Sequence, residues 1–350
     1  MHKLVRPLEQ LVLLSLATCV VAGTATAEAG CPAHPLVIAH RGASGDAPEH
    51  THAAYELGIL QGADVIEPDL VMSRDSVLFT RHESGLGSTT DIARQIRFAK
   101  RRSEKLFEGE TESDWWSEDL DWSELQTLRA VERLPELRPA NTRFDGMFAL
   151  VSFESFLARI DAANGLRKAS GLPPLGIAPE VKHPARLEAL GFDPVPPLLA
   201  ALEAHGYRER HQPVWIQSFE APLLKRLRPR TKLRLLRLFE EERPEDLTAV
   251  AKYADAIGIP KDWVLAEEGT ALVARAHAAG LEVHVWTLRA ENDFLSAPFR
   301  RGNEAAAHGD VEGEAYALFE RCVDALFADH PFPAVRARDR WLEERAAAAH

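Results

Sequence analysis

The sequence predicts an α/β protein whose parallel strands close into a TIM-type (β/α)8 barrel, with a helical insertion in one loop. Two observations predict this fold. Short apolar runs alternate with helical patterns along most of the 350 residues, an order typical of parallel sheets covered by helices. Polar residues stand at the ends of several of these runs, and the carboxyl ends of barrel strands are where TIM-type enzymes carry their active sites.

Nine short apolar runs are strand-like, and helical patterns such as 51–61, 185–205 and 269–279 lie between most of them. A closed barrel of this kind needs eight strands. We therefore expect one run to be extra, and the shortest, 256–259, is the candidate. The nine runs are 36–40, 64–70, 77–82, 176–181, 214–218, 233–239, 256–259, 282–287 and 325–329.

One connection is too long for an ordinary crossover. About ninety residues separate His82 from Gly176, whereas a strand-helix-strand unit takes roughly 30. The stretch is charged and contains a helix start at 121–125. It predicts an insertion over about 86–150 on the third strand-to-helix loop, forming a lid or substrate wall; the alternative is a helical subdomain whose tryptophans are its own core. These tryptophans are Trp115, Trp116 and Trp122.

The N-terminus predicts a signal peptide over residues 1–27, followed by a single domain over 28–350. Two basic residues precede an apolar run at 11–21, and Ala25-Thr26-Ala27 is a small-residue cleavage site. The run is too short for a comfortable membrane span, and no second long apolar stretch follows, so we expect no stable membrane insertion. Lipid attachment at Cys19 is the alternative to cleavage. We expect a periplasmic or secreted protein.

The formal net charge is -12. Nucleic acid is excluded as a partner, because phosphate backbones require clustered Lys and Arg. A small phosphate-bearing substrate remains compatible with this charge, since a bound metal ion supplies local positive charge.

Polar residues at the run ends predict the chemistry. Glu67 and Asp69 are two apart, so both side chains point to one face of a strand. Together with Glu180 they suit a hard divalent cation such as Ca²⁺ or Mg²⁺; the alternative is ion pairing with Arg41 and Lys182. Two histidines near such a cation can act as general base and general acid, although a lone histidine at a strand end more often only makes hydrogen bonds. The full set is His40, Arg41, Glu67, Asp69, His82, Glu83, Glu180, Lys182, Gln217, Ser218, Trp286 and Thr287.

These motifs resemble the glycerophosphodiester phosphodiesterase family, in its bacterial exported form, over residues 36–331. The similarity is specific because the motifs match in residue, in order and in strand context. They are His40-Arg41-Gly42-Ala43-Ser44-Gly45, Pro48-Glu49-His50-Thr51, Gly62-Ala63-Asp64-Val65-Ile66-Glu67-Pro68-Asp69-Leu70, Arg81-His82-Glu83, Glu180-Val181-Lys182-His183-Pro184, Gln217-Ser218-Phe219, Val285-Trp286-Thr287 and Phe327-Ala328-Asp329-His330-Pro331.

The resemblance implies metal-dependent cleavage of glycerophosphodiesters to glycerol 3-phosphate and an alcohol, with one divalent cation, Ca²⁺ or Mg²⁺. It implies a role for each matching residue, with Glu49 only in support. The nucleophile is water or the substrate's own glycerol hydroxyl, which the family favours. The implied roles are metal ligands for Glu67, Asp69 and Glu180, acid and base for His40 and His82, phosphate binding for Arg41 and Lys182, and pocket lining for Gln217 and Trp286.

Two positions depart from the family. Ser76 replaces a glycine in a turn that we expect near the bottom of the barrel, at a small cost in stability. Asp46-Ala47 replaces commoner aromatic or basic residues on the first catalytic-face loop, which bears on substrate choice. The barrel also makes its first and last strands neighbours, so Cys31 and Cys322 are expected to form a disulfide in an oxidising compartment.

Two rival functions remain at this point. The first is a phospholipase D-like lyase acting on lysophospholipid or sphingomyelin, which an apolar patch built by the insertion's tryptophans would favour. The second is a non-catalytic binding protein on a barrel scaffold, which would be expected to have lost a ligand or a histidine. A purely structural barrel would leave three carboxylates crowded without compensation.

Overall fold

The computed structural model describes residues 30–107 and 109–348, so the expected signal peptide lies outside the described residues. The strands are β1 (Leu36–Ala39), β2 (Val65–Ile66), β3 (Asp69–Met72), β4 (Leu78–Thr80), β5 (Ser103–Phe107), β6 (Glu110–Asp114), β7 (Gly176–Ile177), β8 (Glu180–Val181), β9 (Trp215–Ser218), β10 (Arg234–Leu238), β11 (Ala256–Pro260), β12 (Glu282–Leu288) and β13 (Ala325–Ala328). The helices are α1 (His52–Leu60), α2 (Trp122–Leu125), α3 (Phe153–Ala169), α4 (Pro184–Ala189), α5 (Val195–Ala204), α6 (Ala221–Leu227), α7 (Leu247–Val250), α8 (Lys261–Leu265), α9 (Gly269–Ala278), α10 (Val311–Phe319) and α11 (Pro331–Ala348).

Eight parallel strands close into a barrel. β1 pairs with β13 on one side and with β2 on the other, with Leu36 opposite Ala325 and Ile38 opposite Val65. Two of the eight strands are interrupted: β2 and β3 form the second, and β7 and β8 form the third. The strands β9 to β13 follow in chain order around the barrel. The TIM-type prediction is confirmed.

The extra strand-like run is not the one expected. β11 lies between β10 and β12 as a full barrel strand, so the expectation for 256–259 is wrong. The run 77–82 instead supplies β4, which pairs antiparallel with β3, with Leu70 opposite Thr80. The physical reason is the short link between β3 and β4, which allows a hairpin but no crossover. The long insertion therefore follows the third strand-like run but lies between the second and third barrel strands.

The turn that contains Ser76 belongs to this hairpin. It extends beyond the carboxyl end of the second barrel strand, so it lies on the catalytic-face side and the expected position near the bottom is wrong. Ser76 has a φ of 63°, a left-handed conformation that favours glycine. The Ser73 hydroxyl accepts a hydrogen bond from the Val77 amide at 2.9 Å, which helps to hold the turn.

The insertion is less helical than predicted. It contains the β5–β6 hairpin, the short helix α2 and several 3-10 turns. Its tryptophans are packed as core: Trp116 is fully buried, and Trp115 and Trp122 pack against an apolar cluster built on β3 and β4. The Trp115 indole donates to the Phe98 carbonyl at 2.7 Å. The alternative explanation, in which the tryptophans form the insertion's own core, fits the structure.

The helical pattern at 185–205 is two helices rather than one. α4 ends before Gly191, which has a φ of 89°, and α5 begins after Pro194. Glycine in a left-handed conformation and proline at a helix start are ordinary end signals. Among the described residues no helix is long and apolar enough to cross a membrane.

The barrel strands bring Cys31 and Cys322 together in a disulfide. The pairing follows from the register of β1 against β13, because both cysteines precede these neighbouring strands. The bond therefore lies at the amino-terminal ends of the strands, opposite the catalytic face. It closes a loop of 291 residues.

Replacing Cys31 with Ser is expected to lower the free energy of unfolding by about 2–4 kcal/mol, because the disulfide restricts the unfolded chain. Chemical denaturation with and without reductant measures the effect. Reductant should bring the wild-type protein to the stability of the variant and leave the variant unchanged. Equal stability of the variant and the oxidised wild type would contradict the prediction.

Candidate active site

A cavity of about 510 Å³ opens at the carboxyl ends of the barrel strands. Asp69 lies directly beneath it, with carboxylate oxygens close to those of two lining residues. The structure thus brings together all nine residues that the sequence predicts for the site. The eight that line the cavity are His40, Arg41, Glu67, His82, Glu180, Lys182, Gln217 and Trp286.

Three buried carboxylates form the floor. Glu67 follows β2 and Asp69 begins β3, and Asp69 is paired in register with Glu180. One oxygen from each of the three lies within 4.8 Å of the others. The second barrel strand is interrupted at Pro68, between β2 and β3. Glu67 and Asp69 stand on either side of this proline.

The crowding of these carboxylates shifts their pKa values. Burial, with Asp69 and Glu180 nearby, raises the pKa of Glu67 well above its ordinary value. Burial raises the pKa of Glu180 to about 7, although Lys182 opposes the shift. Burial alone would raise the pKa of Asp69 too, but His50 and Arg41 hold it well below its ordinary value.

The donor set fits a hard divalent cation. Glu67 and Glu180 carry an electrostatic penalty that a bound cation would relieve, and Asp69 Oδ1 is buried with no hydrogen-bond partner in the described part of the chain. Oxygens within 4.8 Å of one another suit the ~2.3–2.6 Å bonds of Ca²⁺ as they stand and the ~2.0–2.1 Å bonds of Mg²⁺ after a small closure.

His40 is held by a carboxylate that directly follows the last barrel strand. Its Nδ1 lies 2.5 Å from Asp329 Oδ1, and its Nε2 lies 3.8 Å from Glu67 Oε2. Burial and the neighbouring Arg41 lower the pKa of His40 to about 4, although Asp329 opposes the shift. The ring is therefore neutral at pH 7 in the free protein, and its Nε2 lies on the side of the three clustered carboxylates.

His82 is also held by a carboxylate at its Nδ1. It follows β4, and its Nδ1 lies 2.6 Å from Glu83 Oε1 while its Nε2 lies 3.0 Å from Lys182 Nζ. Burial and the cations Arg41 and Lys182 lower the pKa of His82 to about 3. Since Lys182 is a donor only, Nε2 accepts and Nδ1 carries the proton.

Two cationic side chains stand beside the carboxylates. Arg41 Nη1 donates to Glu49 Oε2 at 3.2 Å, and Arg41 Nε lies 3.3 Å from Asp69 Oδ2. Lys182 Nζ lies 2.9 Å from Glu180 Oε1. Arg41 has a φ of 60°, so the chain turns sharply where β1 ends and directs both His40 and Arg41 to the site.

Gln217 and Trp286 line different parts of the cavity. Gln217 Nε2 donates to Glu67 Oε1 at 2.6 Å and to the Ala178 carbonyl at 2.9 Å, so it orients one of the three clustered carboxylates. Trp286 packs edge-on against Phe219, with ring centroids 5.7 Å apart. Phe219 also lies under Lys182, 5.4 Å from Nζ, and forms an apolar wall of the pocket.

The sequence reasoning missed a residue that the insertion supplies. Arg133 donates to Glu49 at 2.6 Å through both Nε and Nη2, and to Glu83 through Nη1 at 2.6 Å and Nη2 at 2.7 Å. One guanidinium thus binds both Glu49, which contacts Arg41, and Glu83, which contacts His82. No local pattern marks Arg133, because its partners are brought near only by folding.

A second missed arginine stands behind His40. Arg138 Nη2 donates to Asp329 Oδ2 at 2.5 Å, and its Nε donates to Glu291 Oε1 at 2.6 Å. Burial would raise the pKa of Asp329, but Arg138, His40 and Arg289 hold it well below its ordinary value. The insertion therefore positions both histidines, through Arg133 on one side and Arg138 on the other. Its role is positional as well as structural.

Comparison with known proteins identifies the family. The model of the glycerophosphoryl diester phosphodiesterase family matches residues 40–332. The chain belongs to this family.

Several family members resemble the chain along most of its length. A glycerophosphodiester phosphodiesterase of Arabidopsis thaliana is 31% identical over 301 residues, covering 76% of this chain and 78% of the relative. One of Treponema pallidum is 28% identical over 308 residues, covering 75% and 83%.

Solved structures confirm the fold. A phosphodiesterase of Oleispira antarctica, in complex with the product sn-glycerol-3-phosphate, superposes with a TM-score of 0.59 at 20% identity, covering 87% of this chain and 97% of its own. A glycerophosphodiester phosphodiesterase of Agrobacterium tumefaciens superposes with a TM-score of 0.54 at 20% identity, covering 86% and 99%.

Proposed function

We propose that this phosphodiesterase-family enzyme cleaves glycerophosphodiesters to sn-glycerol 3-phosphate and an alcohol, with a divalent cation and two histidines. One observation carries the proposal: a single cavity is lined by two carboxylates that cluster with a third, Asp69, by two cationic side chains, and by two histidines that each have a carboxylate partner. The names of the relatives and the product bound to the Oleispira antarctica protein support the substrate class.

Substrate binding falls to Arg41 and Lys182. Both are buried and ionised beside carboxylates, so they present fixed positive charge to a phosphate that enters the cavity. A guanidinium grips two phosphate oxygens at once, whereas an ammonium acts as a point charge. Phe219 and Trp286 exclude water from one side of the bound group, which strengthens these interactions.

Proton transfer falls to His40 and His82. Each ring is fixed by a carboxylate at Nδ1, so Nε2 is the atom that exchanges a proton with the substrate. His82 Nε2 accepts a hydrogen bond from Lys182 Nζ, so this exchange requires Lys182 to turn from His82 to the bound phosphate. One histidine deprotonates the nucleophile, water or the glycerol hydroxyl. The other protonates the leaving alcohol after it has taken up a proton from solvent at Nε2, an uptake that the negative charge of the bound phosphodiester favours. Each such transfer contributes roughly 10²–10⁴-fold in rate. Early appearance of a cyclic glycerol phosphate by ³¹P NMR would support the glycerol hydroxyl as nucleophile.

Glu67, Asp69 and Glu180 would hold the cation. When bound, a divalent cation polarises a phosphate oxygen and stabilises negative charge that develops in the transition state. Gln217 keeps Glu67 directed at the site. Arg41 contacts Asp69, so the side chain that would bind phosphate lies next to a carboxylate that would bind the cation.

The structure gives no support to the lipid-directed rival. That rival was expected to use an apolar patch built by Trp115, Trp116 and Trp122, but these side chains pack in the core of the insertion. A non-catalytic binding protein would not need both histidine–carboxylate pairs.

Localisation outside the cytoplasm is part of the proposal, and the disulfide between Cys31 and Cys322 supports it.

The decisive experiment measures sn-glycerol 3-phosphate released from glycerophosphocholine by the purified mature protein. We expect turnover with Ca²⁺ or Mg²⁺, loss of turnover with a chelator, and recovery on adding the metal back. Glu180→Gln should require a higher metal concentration, because one negatively charged ligand is lost. Turnover unaffected by chelator would contradict the metal site, and release of phosphocholine instead would contradict the assigned bond. Activity on lysophosphatidylcholine alone would favour the lipid-directed rival.

A further inference from the structure

A second cluster of metal-ligating side chains lies outside the active site, among the loops that follow the last two barrel strands. It consists of Glu291, after β12, His308, before α10, and His330, between β13 and α11. One ligand atom from each lies within 4.8 Å of the others. The reaction proposed above uses none of these three residues.

The backbone fixes two of the three side chains side by side. Glu291 and His308 are opposite each other in an antiparallel bridge. The Asn292 amide donates to Ala307 at 2.8 Å and the Gly309 amide donates to Ala290 at 2.9 Å. This pattern makes Glu291 and His308 a non-hydrogen-bonded pair, in which facing side chains approach most closely.

The third side chain is buried and unsatisfied. His330 is 7% exposed, and neither of its ring nitrogens has a hydrogen-bond partner in the described part of the chain. A buried polar group without a partner is costly. The ring is held in place by Gly45, where an added Cβ would lie 2.1 Å from His330 Cε1. Its edge meets the His308 ring at a centroid distance of 4.9 Å.

The surroundings of the cluster orient its ligands. Glu291 is fully buried, and Arg138 donates to its Oε1 at 2.6 Å and to its Oε2 at 3.4 Å. The guanidinium orients the carboxylate as an outer-shell partner does in metal sites, while it offsets part of the carboxylate's charge. The two unpartnered ring nitrogens of His330 leave a lone pair open to a metal ion. His308 is exposed, so the cluster opens to solvent on one side.

We propose that Glu291, His308 and His330 bind a transition-metal ion, with Zn²⁺ the best fit, at a site separate from the carboxylate site. Two imidazoles and one carboxylate are a donor set for Zn²⁺ and similar ions, whereas Ca²⁺ and Mg²⁺ favour oxygen ligands alone. Zn²⁺ bonds of roughly 2.0–2.1 Å require these side chains to close by about an ångström. The exposed His308 has the most room to make that movement.

The test is metal binding by the chelator-treated, mature protein, followed with Zn²⁺ by calorimetry and with Co²⁺ by its visible absorption. We expect one strong Zn²⁺ site and a tetrahedral Co²⁺ spectrum. His308→Asn should weaken Zn²⁺ binding at least tenfold and remove the Co²⁺ bands, with Ca²⁺-supported phosphodiesterase turnover unchanged. His330→Gln is the second variant, with circular dichroism to show that it is folded.

A control separates the two sites. Glu180→Gln weakens the carboxylate site and should leave the Co²⁺ spectrum and the strong Zn²⁺ binding intact. The proposal is overturned if the wild-type protein binds no Zn²⁺ strongly, or if His308→Asn and folded His330→Gln both bind it as the wild type does. It is also overturned if Glu180→Gln alone removes the strong binding, because the ion would then belong to the carboxylate site.

Discussion

Replacing His40 with Ala is expected to lower kcat for glycerophosphocholine by about 10²–10⁴-fold. The reason is that His40 is buried, held at Nδ1 by Asp329, and directs Nε2 toward Glu67, one of the three clustered carboxylates. His82→Ala should have an effect of the same order. If the two histidines act in one reaction, the double variant should lose much less than the product of the two single losses, as residues that act as a unit do.

The matched control is His211→Ala, because His211 is exposed and away from the cavity. It should keep wild-type kcat and KM. Steady-state kinetics on all four variants, with saturating metal, gives the comparison. A His40→Ala enzyme that retains wild-type kcat would remove this residue from the mechanism, and a raised KM with unchanged kcat would assign it to binding alone.

Replacing Arg133 with Met is expected to lower kcat/KM at least tenfold and the free energy of unfolding by about 3 kcal/mol. Arg133 makes four hydrogen bonds to Glu49 and Glu83, and removing one partner of a largely buried ion pair leaves the other charge uncompensated. The Arg133 and Glu83 side chains are partly exposed. The expected loss of unfolding free energy therefore lies at the low end of the range for a broken buried ion pair. Thermal and chemical denaturation measure it.

Arg133 is a positioning residue. It holds Glu83, and Glu83 holds the His82 ring, so we expect Arg133 to affect activity by orienting His82. In a His82→Ala background, Arg133→Met should therefore cost much less activity than in the wild type. Arg133→Lys keeps the charge but loses the planar fork, so it should recover stability better than activity. The matched control is Arg208→Met, which breaks an exposed pair with Glu203 and should change stability by less than about 1 kcal/mol. Equal losses in both backgrounds would contradict the link to His82.

Local patterns predicted the nine site residues, since each sits at or near the end of an apolar run. The spacing of Glu67 and Asp69 was enough to place both on one face, because side chains alternate along a strand. The partners that orient these residues were not predictable in the same way. Asp329 meets His40 across 289 residues of chain, and Arg133 meets Glu49 across 84. Nothing in the local sequence of one member specifies the other.

The strand count shows the same limit. The apolar run at 77–82 looks like any other strand, and only its antiparallel pairing with β3 reveals that it forms a hairpin with the second barrel strand instead of continuing the barrel. The pairing direction depends on how the chain turns at 73–77, which the hydrophobic pattern does not record. The insertion's tryptophans likewise needed the structure to show that they pack inward.

The sequence by itself determined the barrel, the family motifs at the strand ends and the pair of cysteines beside the first and last strands, because each depends on periodicity or on a contiguous motif. The tertiary structure alone decided the two arginines that orient the histidines and the meeting of Glu291, His308 and His330. These arrangements depend on loops that are distant in sequence and converge at one end of the barrel, where packing, not periodicity, sets which side chains become neighbours.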